Sequence, residues 1–503
     1  MGSRPAADVF YYRMTDAMTT WKYRVTAIAA VFSAAIVSAQ TSPAALAARQ
    51  WRETHEAMIL QEFTALLAIP NVALDSANIR KNAAAVQQML EKRGVKTRLL
   101  EAPGAPPVVY GEILQPGAAR TVVFYAHYDG QPLDPKEWST PPWQPVIRAG
   151  RIYARSAADD KAPIVALVTA LDALHAARIS AHSNIKFVFE GEEEAGSRHL
   201  EPILAANRDL LRAEVWLICD GPVHQSRRQQ IVFGARGIAE TEITVYGPKH
   251  ELHSGHYGNW APNPAMMLAR LLASMKDDAG RVLVEHFYDG IEPLSETEKR
   301  AIAEAPEVDS ELQRELWLGR TEGGGKRLVE LLNYPSLNVR GMTSARSGEK
   351  ASNVIPSTAT ASIDMRLVKG ITPEQAQARL AAHIRREGYF IVDHDPDADT
   401  LMSHARVAKV VDQGGYPAER TSMDLPVSRE VLRIAESARG PVVKLPTMGG
   451  SVPLYMITQT VGSPTITVPI VNHDSNQHSA NENLSIENLW DGIELMAALV
   501  AGL

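Results

Sequence analysis

Five short segments of the chain carry side chains that could do chemistry. The densest is Glu192-Glu193-Glu194, which follows an apolar run from Ile185 to Phe189. Like charges packed this tightly raise each other's pKa unless a positive group lies between them, and a metal ion is a compact positive group. The segment therefore favours a metal site in which one carboxylate is a ligand and its neighbour acts as a base. A solvated acidic loop is the alternative.

The other four segments place His or Asp side chains just beyond an apolar run or at the start of a helix: His127 with Asp129, Asp159 with Asp160, Asp220, and His478. Strand ends meet at one edge of an α/β sheet, so we expect these side chains to converge there. Together with Glu194, these segments supply two His and three carboxylates: His127, His478, Asp159, Glu194 and Asp220. They make two sites of three ligands each if one carboxylate is shared. Such sites leave a position for water on each metal. His473 is the local rival of His478.

Each of these signals has an ordinary alternative. His127 could be a surface residue after a strand, and an Asp at a helix start is usually only a cap. In a tight loop, however, Asp129 can accept the second N–H of the His127 imidazole and orient the ring toward a metal. Two adjacent acids, Asp159 and Asp160, allow one to cap the helix while the other bridges two cations.

Composition excludes several classes of protein and site. The 503-residue chain is 45% hydrophobic and 22% charged, with a net charge of -7, which is typical of a globular protein of two or three domains. No basic patch indicates a nucleic-acid partner. The single cysteine excludes an intramolecular disulfide and a Cys₄ zinc site, so His, Asp and Glu must hold any metal.

The N-terminus resembles an export signal. Lys22 and Arg24 precede an apolar run from Val25 to Val37, and small residues lead to a cleavage site near Ala39. We therefore predict that residues 1–39 are removed and that the mature protein is periplasmic or secreted, with no membrane segment. A buried N-terminal helix and a retained membrane anchor are the alternatives.

Apolar periodicity predicts an α/β fold with two domains. Strands are predicted at 97–100, 108–113, 121–126, 185–189, 215–219 and 465–468, and helices at 50–69, 79–90, 162–177, 429–438 and 486–499. Together they predict a discontinuous sheet domain, residues 45–235 and 412–503. Strands at 238–246, 336–340, 358–367 and 390–392, with helices at 264–275 and 372–387, predict an inserted α+β domain over 236–411. A polar stretch, residues 286–332, is predicted to be an excursion of the inserted domain.

These motifs, in this order from about Trp51 to the C-terminus, resemble the two-zinc metallopeptidases. That family includes carnosine dipeptidases, glutamate-releasing carboxypeptidases, peptidase T, succinyl-diaminopimelate desuccinylase and aminoacylases. The carnosinase-like branch is most similar, through the segments 124–132 and 190–197. The resemblance implies a zinc-dependent exopeptidase-like mixed sheet domain with an inserted, ferredoxin-like lid and dimerisation domain. It also implies two Zn²⁺ ions, with Mn²⁺ or Co²⁺ as alternatives, and a homodimer.

The same resemblance assigns roles residue by residue. It implies that His127 and Asp220 bind one zinc, that Glu194 and His478 bind the other, and that Asp159 bridges them. Glu193 resembles the general base, Asp129 the support of His127, and His253 a lid residue that polarises the scissile carbonyl. The residues that resemble substrate-binding groups are Asn353, Arg366, Gly450 and Ser451.

The family pattern is not complete around the predicted pocket. Ala154-Arg155-Ser156 stands where Gly-Arg-Gly is common in the family, Ala162 replaces a further glycine, and Thr447-Met448 replaces an Arg-Glu pair. No predicted ligand is lost, but substrate identity is open. We expect a hydrolase of dipeptides or small peptides with a free carboxylate. An N-acyl-amino-acid amidohydrolase is the alternative, and a metal-free binding or scaffold protein is a third, which the intact ligand set argues against.

Overall fold

The computed structural model describes residues 42–450 and 452–503. The predicted export signal, residues 1–39, and the predicted substrate-binding residue Ser451 lie outside the described residues. Among the described helices, none is long and apolar enough to span a membrane.

The described strands, in chain order, are β1 Lys96–Leu100, β2 Val108–Ile113, β3 Thr121–His127, β4 Val146–Arg148, β5 Arg151–Tyr153, β6 Asn184–Glu190, β7 Val215–Ile218, β8 Gln230–Val232, β9 Gly234–Ala235, β10 Gly237–Tyr246, β11 Leu252–His253, β12 Ser336–Thr343, β13 Val354–Ile355, β14 Thr358–Leu367, β15 Phe390–Val392, β16 Val407–Tyr416, β17 Glu419–Arg420, β18 Val443–Leu445, β19 Thr465–Thr467 and β20 Asn483–Ser485.

The α-helices, numbered in the same way, are α1 Pro43–Leu67, α2 Ser76–Glu91, α3 Lys161–Ala177, α4 Leu200–Ala206, α5 Arg208–Leu211, α6 Ser254–Tyr257, α7 Pro264–Ser274, α8 Glu296–Glu304, α9 Asp309–Glu315, α10 Leu328–Leu331, α11 Pro373–Arg386, α12 Ala398–Ser403, α13 Pro426–Arg439, α14 Leu454–Met456 and α15 Ile486–Gly502.

Eight strands form a mixed sheet in the order β1-β2-β6-β3-β7-β19-β8-β18. The side chains of strand β3 show that the sheet is covered on both faces. Its residues Val122, Phe124 and Ala126 pack into one buried cluster with residues of α1, α3 and α15. Its alternate residues Val123 and Tyr125 pack into a second cluster on the opposite face. Side chains alternate between the faces of a strand, so a continuous apolar run is buried on both sides.

Five strands form a separate, smaller sheet in the order β12-β14-β10-β16-β15. Its core contains alternate residues of β10, such as Ala239 and Ile243, together with residues of α7 and α11 such as Leu268 and Leu380. The alternation leaves the other face of β10 half-buried and polar, as the sequence predicted for a sheet with one open face. The predicted α/β class, with a mixed main sheet and a second α+β sheet, is confirmed.

Strand β16 was not predicted from the sequence. It pairs with β10 on one side and with β15 on the other, so it lies inside the smaller sheet and not at its edge. Its second half, Asp412 to Tyr416, contains Gly414 and Gly415, and glycine weakens a strand pattern. The smaller sheet therefore extends to Tyr416, beyond the predicted boundary at residue 411. The division into domains stays a prediction.

Candidate metal centre

The predicted ligands come together because four strands that precede them are parallel. Strand β3 pairs in parallel with β6 and β7, and β7 pairs in parallel with β19. His127 ends β3, and Asp220 follows β7. Glu194 lies in a short 3₁₀ turn after β6, and His478 follows β19. All of them therefore lie at the carboxyl edge of the main sheet, where open α/β sheets bind ligands.

The first group consists of His127, Asp159 and Asp220, all buried. His127 Nε2 lies 3.0 Å from Asp159 Oδ1 and 4.0 Å from Asp220 Oδ2. One ligand atom from each residue falls within 4.8 Å of the other two. Atoms at these separations are close enough to bind one cation together.

The second group consists of Asp159, Glu194 and His478. His478 Nε2 lies 3.1 Å from Asp159 Oδ2 and 3.2 Å from Glu194 Oε2. The ligand atoms again fall within 4.8 Å of one another. Asp159 thus turns one carboxylate oxygen toward each group, which is the arrangement expected of a carboxylate that bridges two metals.

The chemistry of the donors fits divalent cations. Burial and the neighbouring Asp159 raise the pKa of Asp220 to about 6 and that of Glu194 to about 7. Burial would also raise the pKa of Asp159, but hydrogen bonds with His127 and His478 outweigh it, and that pKa lies below its ordinary value. Three acids at this spacing are ionised together only if cations offset their repulsion. Imidazole and carboxylate ligands suit Zn²⁺ and also accept other divalent metals.

Asp129 supports both the first histidine and the acidic turn. His127 Nδ1 lies 3.2 Å from the Asp129 carbonyl oxygen and 3.4 Å from its carboxylate Oδ1. The same carboxylate accepts the backbone N–H of Glu193 at 3.1 Å and that of Glu194 at 3.0 Å. Asp129 therefore holds the turn after β6 against the end of β3, and this second contact could not be read from the His-x-Asp spacing.

Glu482 is a supporting residue to which the sequence analysis gave no role. Its buried carboxylate accepts the backbone N–H groups of Ser156, Ala158 and Asp159, each at 2.9 Å. It also pairs with the buried guanidinium of Arg155 at 2.8 Å. These contacts fix the loop that presents Asp159. The only sequence signal was the position of Glu482, four residues after His478 in the same polar segment.

Asp160 does not act as the helix cap that the sequence allowed. It is the residue before α3, yet its side chain makes no capping hydrogen bond to the helix. Its Oδ2 instead accepts the backbone N–H of His127 at 3.3 Å. The adjacent Lys161 is buried and donates to the carbonyl oxygen of Leu66 at 3.0 Å. Asp160 and Lys161 therefore anchor the neighbouring Asp159 to the end of β3 and to α1.

A cavity of about 350 Å³ opens directly on the candidate metal ligands. Asp159, Asp220 and His478 line it, and so does Glu193, which belongs to neither ligand group. Burial and the charge of Asp220 raise the pKa of Glu193 well above its ordinary value. Glu193 thus lies beside both groups without belonging to either, and its role as the general base stays a prediction.

The predicted substrate-binding residues divide into two sets. Gly450 lines the cavity together with Gly449. His253, Asn353 and Arg366 are not among the described residues that line it. His253 is exposed on β11, where its ring lies 4.5 Å from that of His256. Arg366 lies on β14, with its Nε 3.6 Å from Asp364 Oδ2. Their roles stay predictions that require the smaller sheet to approach the cavity.

Comparison with known proteins gives matches over most of the chain. The family model described as Peptidase family M20/M25/M40 matches residues 123–502. Human Beta-Ala-His dipeptidase is 28% identical over 404 residues, which are 78% of this chain and 76% of that protein. The Cys-Gly metallodipeptidase of Schizosaccharomyces pombe is 24% identical over 433 residues, 82% of this chain and 86% of that protein. The solved structure of an M20 family metallo-carboxypeptidase from Sulfolobus solfataricus has a TM-score of 0.74 at 27% identity, covering 88% of this chain and 98% of that one.

Proposed function

The chain belongs to peptidase family M20/M25/M40, and on that premise we propose that it hydrolyses an amide bond in dipeptides or small peptides with a free carboxylate. The observation that carries the proposal is the pair of three-ligand groups that share Asp159, with Glu193 beside them in one cavity. Two divalent ions per chain are proposed, zinc first and manganese or cobalt as alternatives.

His127, Asp159 and Asp220 would hold one ion, and Asp159, Glu194 and His478 the other. Metal ions in such a site supply positive charge that lowers the pKa of bound water and polarises a carbonyl oxygen. Glu193 accepts the proton of the attacking water on its carboxylate and then donates it to the nitrogen of the leaving amine. Asp129 and Glu482 hold the ligands in place through the hydrogen bonds described above. His253 and Arg366 are proposed to contact the substrate carbonyl and carboxylate when the cavity is covered.

An N-acyl-amino-acid amidohydrolase is the second candidate, because the chemistry at the scissile bond is the same. One observation favours it: no Lys or Arg is found among the described residues that line the cavity, whereas several apolar residues are. Such a lining favours an apolar acyl chain, which needs no partner of opposite charge.

A substrate panel tests these alternatives. Purified protein is loaded with Zn²⁺, Mn²⁺ or Co²⁺ and assayed on dipeptides and on N-acyl amino acids of matched size. Faster turnover of dipeptides supports a dipeptidase, and faster turnover of N-acyl amino acids supports the second candidate. If no amide is hydrolysed with any metal, the proposed function is wrong and a binding or scaffold role takes its place.

Export and dimerisation are proposed on the sequence pattern and on the resemblance, respectively. N-terminal sequencing of protein from the source cell tests export. A chain that starts near Gln40 supports it, and an intact N-terminus in the cytosolic fraction contradicts it. Sedimentation of the mature chain tests for a homodimer through the inserted domain, and a monomer at all concentrations contradicts it.

A further inference from the structure

The cavity at the metal centre has two chemically different ends. One end consists of the proposed metal ligands and Glu193. Away from them, much of the lining is apolar, and this apolar part comes mainly from two separate parts of the chain: Leu328, Val329 and Leu332 in and just after α10, and Leu445 and Met448 in and after β18. The polar residues His224, Gln225, Gln230 and Gln477 line other parts of the same cavity. The first three belong to the excursion at residues 286–332, which the metal chemistry does not use. The role of this wall is therefore unexplained by catalysis alone.

Direct contacts join the wall to the metal end. A Cβ on Gly449 would lie 3.1 Å from Leu332 Cδ2, so this leucine packs against the backbone of the segment after β18. Met448 Cε would lie 3.6 Å from a Cβ on Gly221 and 3.6 Å from one on Gly450. Gly221 directly follows the proposed ligand Asp220. The methionine methyl group thus lies at the junction between the ligands and the apolar wall.

The wall is supported from behind. Val329 and Met448 pack against a buried cluster of Val232, Ala305, Val443 and Leu445. Side chains that rest on a packed core keep their positions, because protein interiors are close-packed and tolerate little displacement. Val329 and Met448 therefore have defined positions in the wall, whereas Leu328 is exposed.

Few charges lie at this end of the cavity. Apart from the metal ligands and Glu193, the acidic residue among the described lining is Asp309, and its Oδ1 already accepts the backbone N–H of Leu328 at 2.6 Å. No Lys or Arg is among the described lining residues. An anionic substrate group placed here would lose hydration without gaining a Lys or Arg partner, which is costly. An apolar group would lose contact with water at a gain of about 25 cal/mol per Å² buried.

We propose that the apolar wall formed by Leu328, Leu332 and Met448 is the specificity subsite of the enzyme, and that it takes an uncharged apolar group adjacent to the scissile amide. The preferred substrates then carry a branched aliphatic or aromatic side chain, or an acyl chain of similar size, on one side of that bond. This inference rests on the proposed function, since it names the substrate class of the same site.

The test compares substrates that differ in one side chain. Dipeptides of glycine with Leu, Ala, Asp or Lys, in both orders, are assayed on the metal-loaded full chain. In one of the two orders, kcat/KM is expected to be at least about tenfold higher for Leu than for Ala, because each buried methylene group contributes roughly that much discrimination. Asp is expected to be the poorest substrate in that order, because no Lys or Arg is among the described lining residues.

Variants of the wall residues test whether these residues cause the preference for Leu over Ala. Leu332→Ala is expected to lower the Leu-to-Ala ratio toward one, mainly through KM, with little change for the smaller substrate. Leu332→Met conserves volume and is expected to keep the ratio. Leu316→Ala is the matched control, because Leu316 is an exposed leucine of the same excursion that does not line the cavity. Equal losses on all substrates in Leu332→Ala, or the same change in Leu316→Ala, would overturn the inference.

A binding measurement separates failure of the subsite from failure of the proposed function. Leucine hydroxamate and glycine hydroxamate are titrated calorimetrically into the metal-loaded protein, with the expectation that the leucine compound binds at least about tenfold more tightly. Hydrolysis with no side-chain preference overturns the subsite and keeps the proposed function. No hydrolysis with tighter binding of leucine hydroxamate overturns the function and keeps the subsite. Equal binding of the two hydroxamates overturns the subsite in either case.

Discussion

The carboxylate of Glu482 accepts the backbone N–H of Asp159 at 2.9 Å, although the two residues are 323 apart in the sequence. Asp159 is the carboxylate shared by both ligand groups, and Glu482 belongs to the polar segment that also carries His478. The side chain of Glu482 therefore holds Asp159 next to the segment that carries His478. The position of Asp159 depends on a residue that does not face the metals.

We expect Glu482→Ala to weaken both metal binding and stability. The substitution leaves the guanidinium of Arg155 buried without its carboxylate and leaves three backbone N–H groups without an acceptor. Removal of one partner of a buried pair typically lowers the free energy of unfolding by about 3–5 kcal/mol. Chemical denaturation and metal analysis measure the two effects. The control is Glu304→Ala, which changes an exposed acid of α8. Native-like stability of Glu482→Ala would show that the loop is held by other contacts.

Glu193→Gln and Glu194→Gln are expected to fail in different ways. Glu193 lines the cavity but belongs to neither ligand group, so its amide variant keeps the metals and loses about 10²- to 10⁴-fold in kcat. Glu194 is within 3.2 Å of His478 in the second group, so its variant loses metal as well as activity. Metal analysis beside steady-state kinetics separates the two results. Glu192→Gln, in which the acid paired with His199 is changed, is the control. Near-native kcat in Glu193→Gln would mean that another residue is the base.

Removal of metal is expected to abolish activity and to lower the melting temperature. The two ligand groups predict about two divalent ions per chain. A ligand that binds only the folded state stabilises it by about 2.7 kcal/mol when present at 100 times its Kd. Dialysis against a chelator, followed by differential scanning fluorimetry and re-addition of Zn²⁺, measures both effects. Full activity of a chelated, metal-free sample would rule out the metal mechanism.

Arg366→Ala is expected to raise KM strongly for substrates with a free carboxylate and much less for their amidated analogues. The guanidinium binds a carboxylate through two parallel N–H groups and has no anion to pair with in the amide. Arg366 does not line the cavity among the described residues, so this role requires the smaller sheet to move toward the metal ligands. Arg340→Ala, on the exposed strand β12, is the control. Equal losses on both substrate types would indicate that Arg366 only supports the sheet.

Glu190 is expected to make the stability of the metal-free protein depend on pH. Burial raises the pKa of this carboxyl to about 7, from 4.5 for an ordinary Glu, and its Oε2 accepts the hydroxyl of Tyr125 at 2.6 Å. The folded state therefore binds the proton more tightly than the unfolded state. The contribution of protonated Glu190 to the free energy of unfolding is complete below pH 4.5 and is lost as the pH rises toward 7. Glu190→Gln, which cannot ionise, should reduce this slope in denaturation experiments on chelated protein. An unchanged slope would show that other groups cause the dependence.

Local sequence patterns were sufficient to predict the elements that carry the candidate ligands. His127, Glu194 and Asp220 each follow an apolar run, and such runs become strands whose position depends mainly on local periodicity. Strand β2 and strand β14 match their predicted bounds, β3 is one residue longer than predicted at its end, and β6 is one residue longer at each end. Because the chain has a single cysteine, the residue types also limited the predicted metal ligands to His and carboxylates. These are local properties, and one sequence is sufficient to read them.

Which of these side chains meet depends on how the elements are arranged in the fold. The sharing of Asp159 by His127 and His478 depends on the order of β3, β7 and β19 in the sheet. Contacts between distant segments leave no periodic signal, so Glu482 and the apolar wall at Leu332 were not foreseen. Strand β16 was missed for the same reason, because its glycine-rich half is stabilised by its pairing with β10 and not by its own pattern.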